Sequence, residues 1–232
     1  MKYANALPSH SQSSKVVKNG NRQGKQSYLC RNCQSQFRDN PQPPGYSTQV
    51  KDLCVKMSLN GMGFRGIERV TGLWHNSVIN WVRQAEAKIA DENYSIPETA
   101  LLDELQTFVG SKKNQVWLWT VVNSHLPGIV KFVVGERSFA TFMVLWQMIR
   151  GWACFLYITD GYCVYSCLSD ECDHLVSQTG MTRVEGENCR LRHYLARLHR
   201  KTLCYSKSVD MLYKSVRLLI YYLKHGRIPL FS

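Results

Sequence analysis

A chain of 232 residues with 44% apolar content is long enough for one large domain or two or three small ones, and its composition is that of a globular protein. No charge-free apolar run approaches the ~20 residues of a membrane span, and the first residues lack the apolar core of a signal peptide, so the expectation is an intracellular protein. The nine cysteines, odd in number and scattered, do not read as a secreted disulfide framework and fit reduced thiols with at most one metal site.

The formal charge of +12 is unevenly spread. Residues 1–95 hold 13 Lys+Arg against 6 Asp+Glu, residues 96–180 hold 5 against 8, and residues 181–232 hold 11 against 3. An acidic centre between basic flanks suits a protein that follows a polyphosphate backbone and gathers carboxylates for a divalent cation.

Residues 1–27 are polar, without apolar periodicity, and read as a tail or small irregular module. "YLCRNC" then places Cys30 and Cys33 in a Cys-x-x-Cys turn, half of a zinc-ribbon ligand set. A second pair would normally lie about twenty residues upstream, where His10 stands as the one plausible ligand. Residues 1–40 thus form a tail and partial zinc-ribbon module, ended by the Pro-rich linker "DNPQPPGYS", Asp39 to Ser47.

From Thr48 the period turns helical. Val50, Leu53, Cys54 and Met57 share one face, Asn60-Gly61 stops that helix, and Phe64 to Val70 forms a short second one. After Thr71-Gly72-Leu73, a third helix runs from Asn76 through Val78, Ile79, Val82 and Ala85. A short Gly-containing turn between two helices is the helix-turn-helix pattern, here over residues 47–95. His75, Ser77, Asn80, Arg83 and Gln84 would then face base edges and phosphates.

Residues 98–232 begin with three β-type segments, Ala100 to Val109, Val116 to Val122 and Gly128 to Val134, which predict an antiparallel meander. An amphipathic helix from Phe139 to Arg150, a strand from Cys154 to Thr159, and helices over Asn188 to Arg200 and Val209 to Lys224 follow. The order β-β-β-α-β-α matches a ribonuclease H-like mixed sheet flanked by helices. The expected class is therefore α+β multidomain: a remnant zinc ribbon, an all-α helix-turn-helix, and a ribonuclease H-like domain with C-terminal helices.

In that fold the first and fourth strands are neighbours, so Asp103 in the first and Asp160 at the end of the fourth would meet at the sheet edge. Alone, Asp160-Gly161 is only a turn pair. With Asp103 and a third acid it could hold two divalent ions that activate a water or 3′-hydroxyl nucleophile and steady the leaving oxygen. Glu104 is excluded because strand alternation sends it to the opposite face. Cys163, Cys167, Cys172 and His174 have metal-ligand chemistry at irregular spacing and read as loop composition rather than a second zinc site. Asn188, Arg192, Arg197, Arg200 and Lys201 sit on a helix whose leucines pack inward, and would hold DNA phosphates.

The stretches "LLDELQTFVGSKKNQVWLWTVVN", "YITDGYCVY" and "MTRVEGENCRLRHYLARLHRKTLCYSKS", preceded by "VVKNGNRQGKQSYLCRNC" and "LNGMGFRGIERVTG", strongly resemble a bacterial transposase of the insertion sequence 1 (IS-one) family, over residues 15–225. The resemblance implies a zinc ribbon and helix-turn-helix that bind terminal inverted repeats of double-stranded DNA. It also implies an Asp-Asp-Glu domain using magnesium (or manganese), a homo-oligomer on DNA, and a place in the bacterial cytoplasm. It puts the acids on Asp103, Asp160 and Glu185, with 24 residues between the last two. Helical periodicity, in contrast, aligns Glu187 with Leu191 and Leu195. The family's first cysteine pair falls on Pro8 and Ser11, so this chain lacks it. An alternative follows: a noncatalytic DNA-binding regulator or decayed copy that occupies the ends without cutting them.

Overall fold

The structure, a computed structural model, describes residues 15–22, 24–38, 45–90 and 95–229, and divides at Ser47/Thr48 into two compact units. The first unit is a three-stranded antiparallel meander of β1 (Val16–Arg22), β2 (Lys25–Cys30) and β3 (Gln36–Arg38). Strands thus occupy part of the stretch that composition alone marked as an irregular tail. Hydrogen bonding to a neighbour, with Tyr28 stacked on Phe37, holds them where apolar alternation does not. Cys30 ends β2 and is buried, while Cys33 lies exposed in the following turn. His10 and the positions of Pro8 and Ser11 lie outside the described residues.

The second unit opens with α1 (Thr48–Leu59), α2 (Phe64–Thr71) and α3 (His75–Glu86). Gly72 closes α2 in the left-handed conformation, φ 71°, with its N–H on the Glu68 carbonyl, so three residues suffice to turn the chain into α3. α3 begins at His75, one residue before the expected Asn76, and its N-cap is Trp74 without a side-chain bond. Cys54, Val55, Leu59, Ile67, Val78, Val82 and Ala85 join the three helices in a core that continues to α6 (Val209–His225). Glu86 and Arg217 lock α3 to α6 across 2.7 Å.

A five-stranded mixed sheet forms the centre of this unit: β4 (Thr99–Phe108), β5 (Gln115–Asn123), β6 (Ile129–Gly135), β7 (Leu156–Thr159) and β8 (His174–Val176), in spatial order β6-β5-β4-β7-β8. The first three are antiparallel and β4, β7 and β8 run parallel. This mixed α/β arrangement is compatible with a ribonuclease H-like domain.

Alternation divides β4 between two cores. Leu101 and Leu105 face α5 (Thr182–Tyr194) and α6. Ala100 and Leu102, with Trp119 and Val121, face α4 (Phe139–Ile149), whose Phe142, Leu145, Trp146 and Ile149 form one apolar stripe. The sheet is therefore covered on both faces, and its polar chemistry is left at the strand ends.

Three boundaries differ from those read in the sequence. β7 is four residues, because Phe155 is 70% exposed and Cys154 packs as a lid on the α4 core rather than pairing. α5 starts at Thr182, six residues before Asn188; Gly186 is accommodated in the helix, and its position has open space around it. The helix ends at Tyr194, where Leu195 turns extended, and Ala196–Leu198 forms a separate short turn. The short edge strand β8, three residues from the cysteine-rich loop, gave no apolar alternation to read.

Candidate active site

Parallel pairing of β4 with β7 extends from Thr99↔Leu156 to Leu101↔Ile158 and then stops. Beyond Leu101 this side of β4 has no neighbouring strand among the described residues, and Asp103, Glu104 and Asp160 gather at the open edge. One ligand atom from each lies within 4.8 Å of the others. Asp160 directly follows β7, and its Oδ1 accepts the Tyr162 N–H at 3.0 Å, so the Asp-Gly pair makes the ordinary turn and aims its carboxylate at β4 in one stroke.

Asp103 is built into a small network. Asn188 of α5 donates from Nδ2 to Asp103 Oδ2 at 2.8 Å, and Thr120, opposite Asp103 on β5, directs its hydroxyl to Asn188 Oδ1 at 3.0 Å and to the Asp103 carbonyl at 3.1 Å. Burial pushes the Asp103 carboxyl above its usual range; the Asn188 bond opposes this, and the charges of Asp160 and Glu185 add to it. Glu185 is exposed, in the first turn of α5, one turn before Asn188.

Glu187, the acid chosen by periodicity, is indeed buried, but its Oε1 accepts the Gly128 N–H at 3.0 Å and its Oε2 lies 3.6 Å from Arg190. The inward stripe through Leu191 is real and leads to the β5–β6 turn instead of to Asp103.

Glu104 does point to the opposite face, as alternation requires, among Trp119 and the α4 core. It still reaches the site because both faces of β4 converge on the edge that β7 vacates. Its Oε1 accepts Nε and Nη2 of Arg137 at 2.8 and 2.6 Å and its Oε2 accepts the Tyr165 hydroxyl at 2.8 Å. Burial raises its carboxyl, and Arg137 and Tyr165 draw it back down. Sequence reasoning missed Glu104, Arg137, Tyr165 and Thr120; the only signal was the adjacency of Glu104 to Asp103, which the alternation rule overrode.

The residues expected to touch DNA fall into two groups. Asn80, Arg83 and Gln84 are exposed on α3, and Arg200 and Lys201 are exposed after α5. The others are held: His75 Nδ1 lies 2.8 Å from Glu68, Ser77 is half-buried, and Asn188 is buried on Asp103. Arg192 donates to the carbonyls of Leu198 and Gln106, and Arg197 donates to Ser206 and stacks over Phe64.

Asp103 and Asp160 meet here with Glu104 beside them, while Glu185 is not part of the group; oxygen donors of this kind fit a hard divalent cation rather than a thiolate-preferring metal. Among the described residues no comparable group forms at Cys30 and Cys33 or at Cys163, Cys167, Cys172 and His174. No helix of the described residues is long and apolar enough to cross a membrane.

A family model described as IS1 transposase matches residues 98–225. The Insertion element IS1 protein InsB of Shigella sonnei is 36% identical over 112 residues, covering 48% of this chain and 86% of that protein. The Insertion element IS1 9 protein InsB of Escherichia coli K12 matches at the same identity and length, covering 67% of that protein. Among solved structures, the cryoEM structure of a simian T-cell lymphotropic virus intasome in complex with PP2A regulatory subunit B56 gamma contains a chain with TM-score 0.40 and 13% identity, over 74% of this chain and 68% of that one.

Proposed function

The chain belongs to the IS1 transposase family, and we propose that it binds the terminal inverted repeats of its element and catalyses metal-dependent strand cleavage and strand transfer. The observation that carries this reading is the meeting of Asp103 and Asp160 at the end of β7, with Asp103 oriented by Asn188 from the helix that also bears Glu185.

Asp103, Asp160 and Glu185 would hold the divalent cation, Mg2+ or Mn2+. When bound, it would polarise the scissile phosphate, lower the pKa of the attacking hydroxyl or water and steady the leaving oxygen. The protein's own part is positional. Asn188 and Thr120 fix the rotamer of Asp103, the Tyr162 N–H fixes that of Asp160, and the regular first turn of α5 carries Glu185 on the same side as Asn188. α3 presents Asn80, Arg83 and Gln84 to the duplex ends, and the exposed Arg200 and Lys201 follow the backbone. Multiple copies on paired DNA ends complete the assembly.

The test is Mg2+-dependent cutting and joining of duplexes that carry the element's ends. The wild-type chain is expected to cut and Asp160→Ala to bind without cutting. Equal cutting by both would overturn the assignment, and end binding without any cutting by the wild type would favour the regulator.

A further inference from the structure

Arg137, in the turn between β6 and α4, belongs to no DNA-binding element assigned above, yet its guanidinium is among the most firmly placed groups beside the acids. It stacks over Trp117 at 4.7 Å and over Tyr162 at 4.0 Å, ring centroid to Cζ. Nε and Nη2 both bond Glu104 Oε1, and the Tyr162 hydroxyl donates to the Arg137 carbonyl at 3.2 Å. Tyr162 is in turn the residue whose N–H holds Asp160. One chain of contacts therefore runs from Arg137 to the carboxylate at the end of β7.

The two ends of the Arg137–Glu104 pair differ in access. The Glu104 side chain is 2% exposed and the Arg137 side chain 40% exposed. Glu104 already accepts three donors on its two oxygens, and its charge is matched by Arg137, so it is poorly suited to give up an oxygen to a cation. Arg137 has committed one edge of its fork to Glu104, and its Nη1 makes no hydrogen bond among the described residues. The guanidinium has lost its rotamer freedom in advance, so contact with an anion costs little further ordering. A DNA strand entering a site of crowded carboxylates brings its own negative charge, and a fixed cation beside them offsets the repulsion.

We infer that Arg137 is a phosphate clamp: its open Nη1 edge binds a non-bridging oxygen of a backbone phosphate next to the one being cut, and Glu104 is the anchor that sets the angle of the clamp rather than a ligand of the metal. This rests on the transposase reading, and goes beyond it by assigning a substrate contact and by separating Glu104 from the acids of the metal site.

Single-turnover cleavage of end duplexes is measured with Mg2+ for the wild type, Arg137→Ala, Arg137→Gln, Arg137→Lys and Glu104→Gln, on normal DNA and on duplexes with one neutral methylphosphonate at each position around the cut. Arg137→Ala is expected to slow cleavage on the order of 100-fold, with an unchanged Mg2+ half-saturation and near-normal end binding. Arg137→Gln, which leaves a polar side chain without the charge, should show the same loss, and Arg137→Lys should recover only part of it. At one flanking phosphate, the methylphosphonate should slow the wild type by a similar factor and leave Arg137→Ala and Arg137→Gln no slower than they already are. Equal, additive losses at every phosphate would mean a purely structural role and overturn the clamp; so would wild-type cleavage rates in Arg137→Gln. A raised Mg2+ requirement in Glu104→Gln would make Glu104 a metal ligand and overturn the anchor. Failure of the wild type to cut normal DNA at all would instead strike the transposase reading.

Discussion

Asn188 and Asp103, 85 residues apart in the chain, are joined at 2.8 Å, and Asn188 is held in that pose by the Thr120 hydroxyl. The same amide that sequence pattern offers as a DNA contact is buried and spends its donor on the first acid of the site. Asn188→Ala should therefore act on chemistry rather than on DNA affinity. Cleavage is expected to fall about 10- to 100-fold, the usual cost of losing a partner that orients a ligand, with end binding by gel shift preserved. A matched loss of binding and cleavage would return Asn188 to the DNA interface.

Glu185 and Glu187 stand two residues apart on a continuous helix and face different surroundings. Glu185→Gln is expected to abolish strand cleavage and leave binding intact. Glu187→Gln keeps an oxygen for the Gly128 N–H and gives up only the 3.6 Å pair with Arg190. Its stability cost should stay below about 1 kcal/mol, and most of its cleavage should survive. Inactive Glu187→Gln beside active Glu185→Gln would reverse the assignment.

The unevenness of what the sequence disclosed has a physical pattern. Segments with a strong period were placed to within a residue: the observed β4, β5 and α6 start and end no more than one residue from the runs Ala100 to Val109, Val116 to Val122 and Val209 to Lys224. The acids Asp103 and Asp160 were legible because strand order brings them together whatever the side chains between them do. Arg137, Tyr165 and Thr120 were not, since each meets the site only through tertiary contacts across 17 to 68 residues of chain. β1 and β2 escaped because a small sheet with little buried apolar area carries no alternation to detect.

His174 pins β8 to β7. Its Nε2 lies 2.8 Å from the Thr159 hydroxyl and its Nδ1 3.1 Å from that of Ser169. Burial lowers its pKa below the ordinary value, so the folded state favours the neutral ring. For a base shifted in this direction, the stabilising contribution is whole above the unfolded pKa, about 6.5, and is lost as pH falls through the folded value. The difference in melting temperature between the wild type and His174→Gln should accordingly shrink as pH drops below about 6.5. A difference that is flat or grows toward acid would show that His174 is not held neutral.

On α3, Asn80 and Arg83 are exposed while Val78, Trp81, Val82 and Ala85 are buried, so the polar face is fixed by its apolar back. Asn80→Ala should weaken binding to end sequences more than to random DNA. Arg83→Ala should weaken both alike and reduce the salt slope by about one. Equal losses on specific and random DNA for both variants would argue against a recognition helix.

Arg197 is packed inside the protein, unlike the exposed Arg200 and Lys201 of the same basic stretch. Its guanidinium donates to Ser206 at 3.0 Å and lies 4.7 Å from the Phe64 ring, and its carbonyl accepts the Thr107 hydroxyl at 3.3 Å, so it ties the start of α2 to β4 and to the chain leading into α6. Burial brings its pKa down to about 10, a mark of a cation enclosed by protein rather than by water and counterions. Arg200 and Lys201 are exposed three and four residues on. Arg197→Met should therefore lower stability, by about 1 to 3 kcal/mol for the bonds left unmade, and leave the salt dependence of DNA binding by the folded protein unchanged. Arg200→Gln and Lys201→Gln should do the reverse, each flattening the dependence of log K on log salt by about 0.9 for every phosphate no longer neutralised, with little change in melting temperature. A reduced salt slope in folded Arg197→Met would place its guanidinium on DNA and contradict its packing against Ser206 and Phe64.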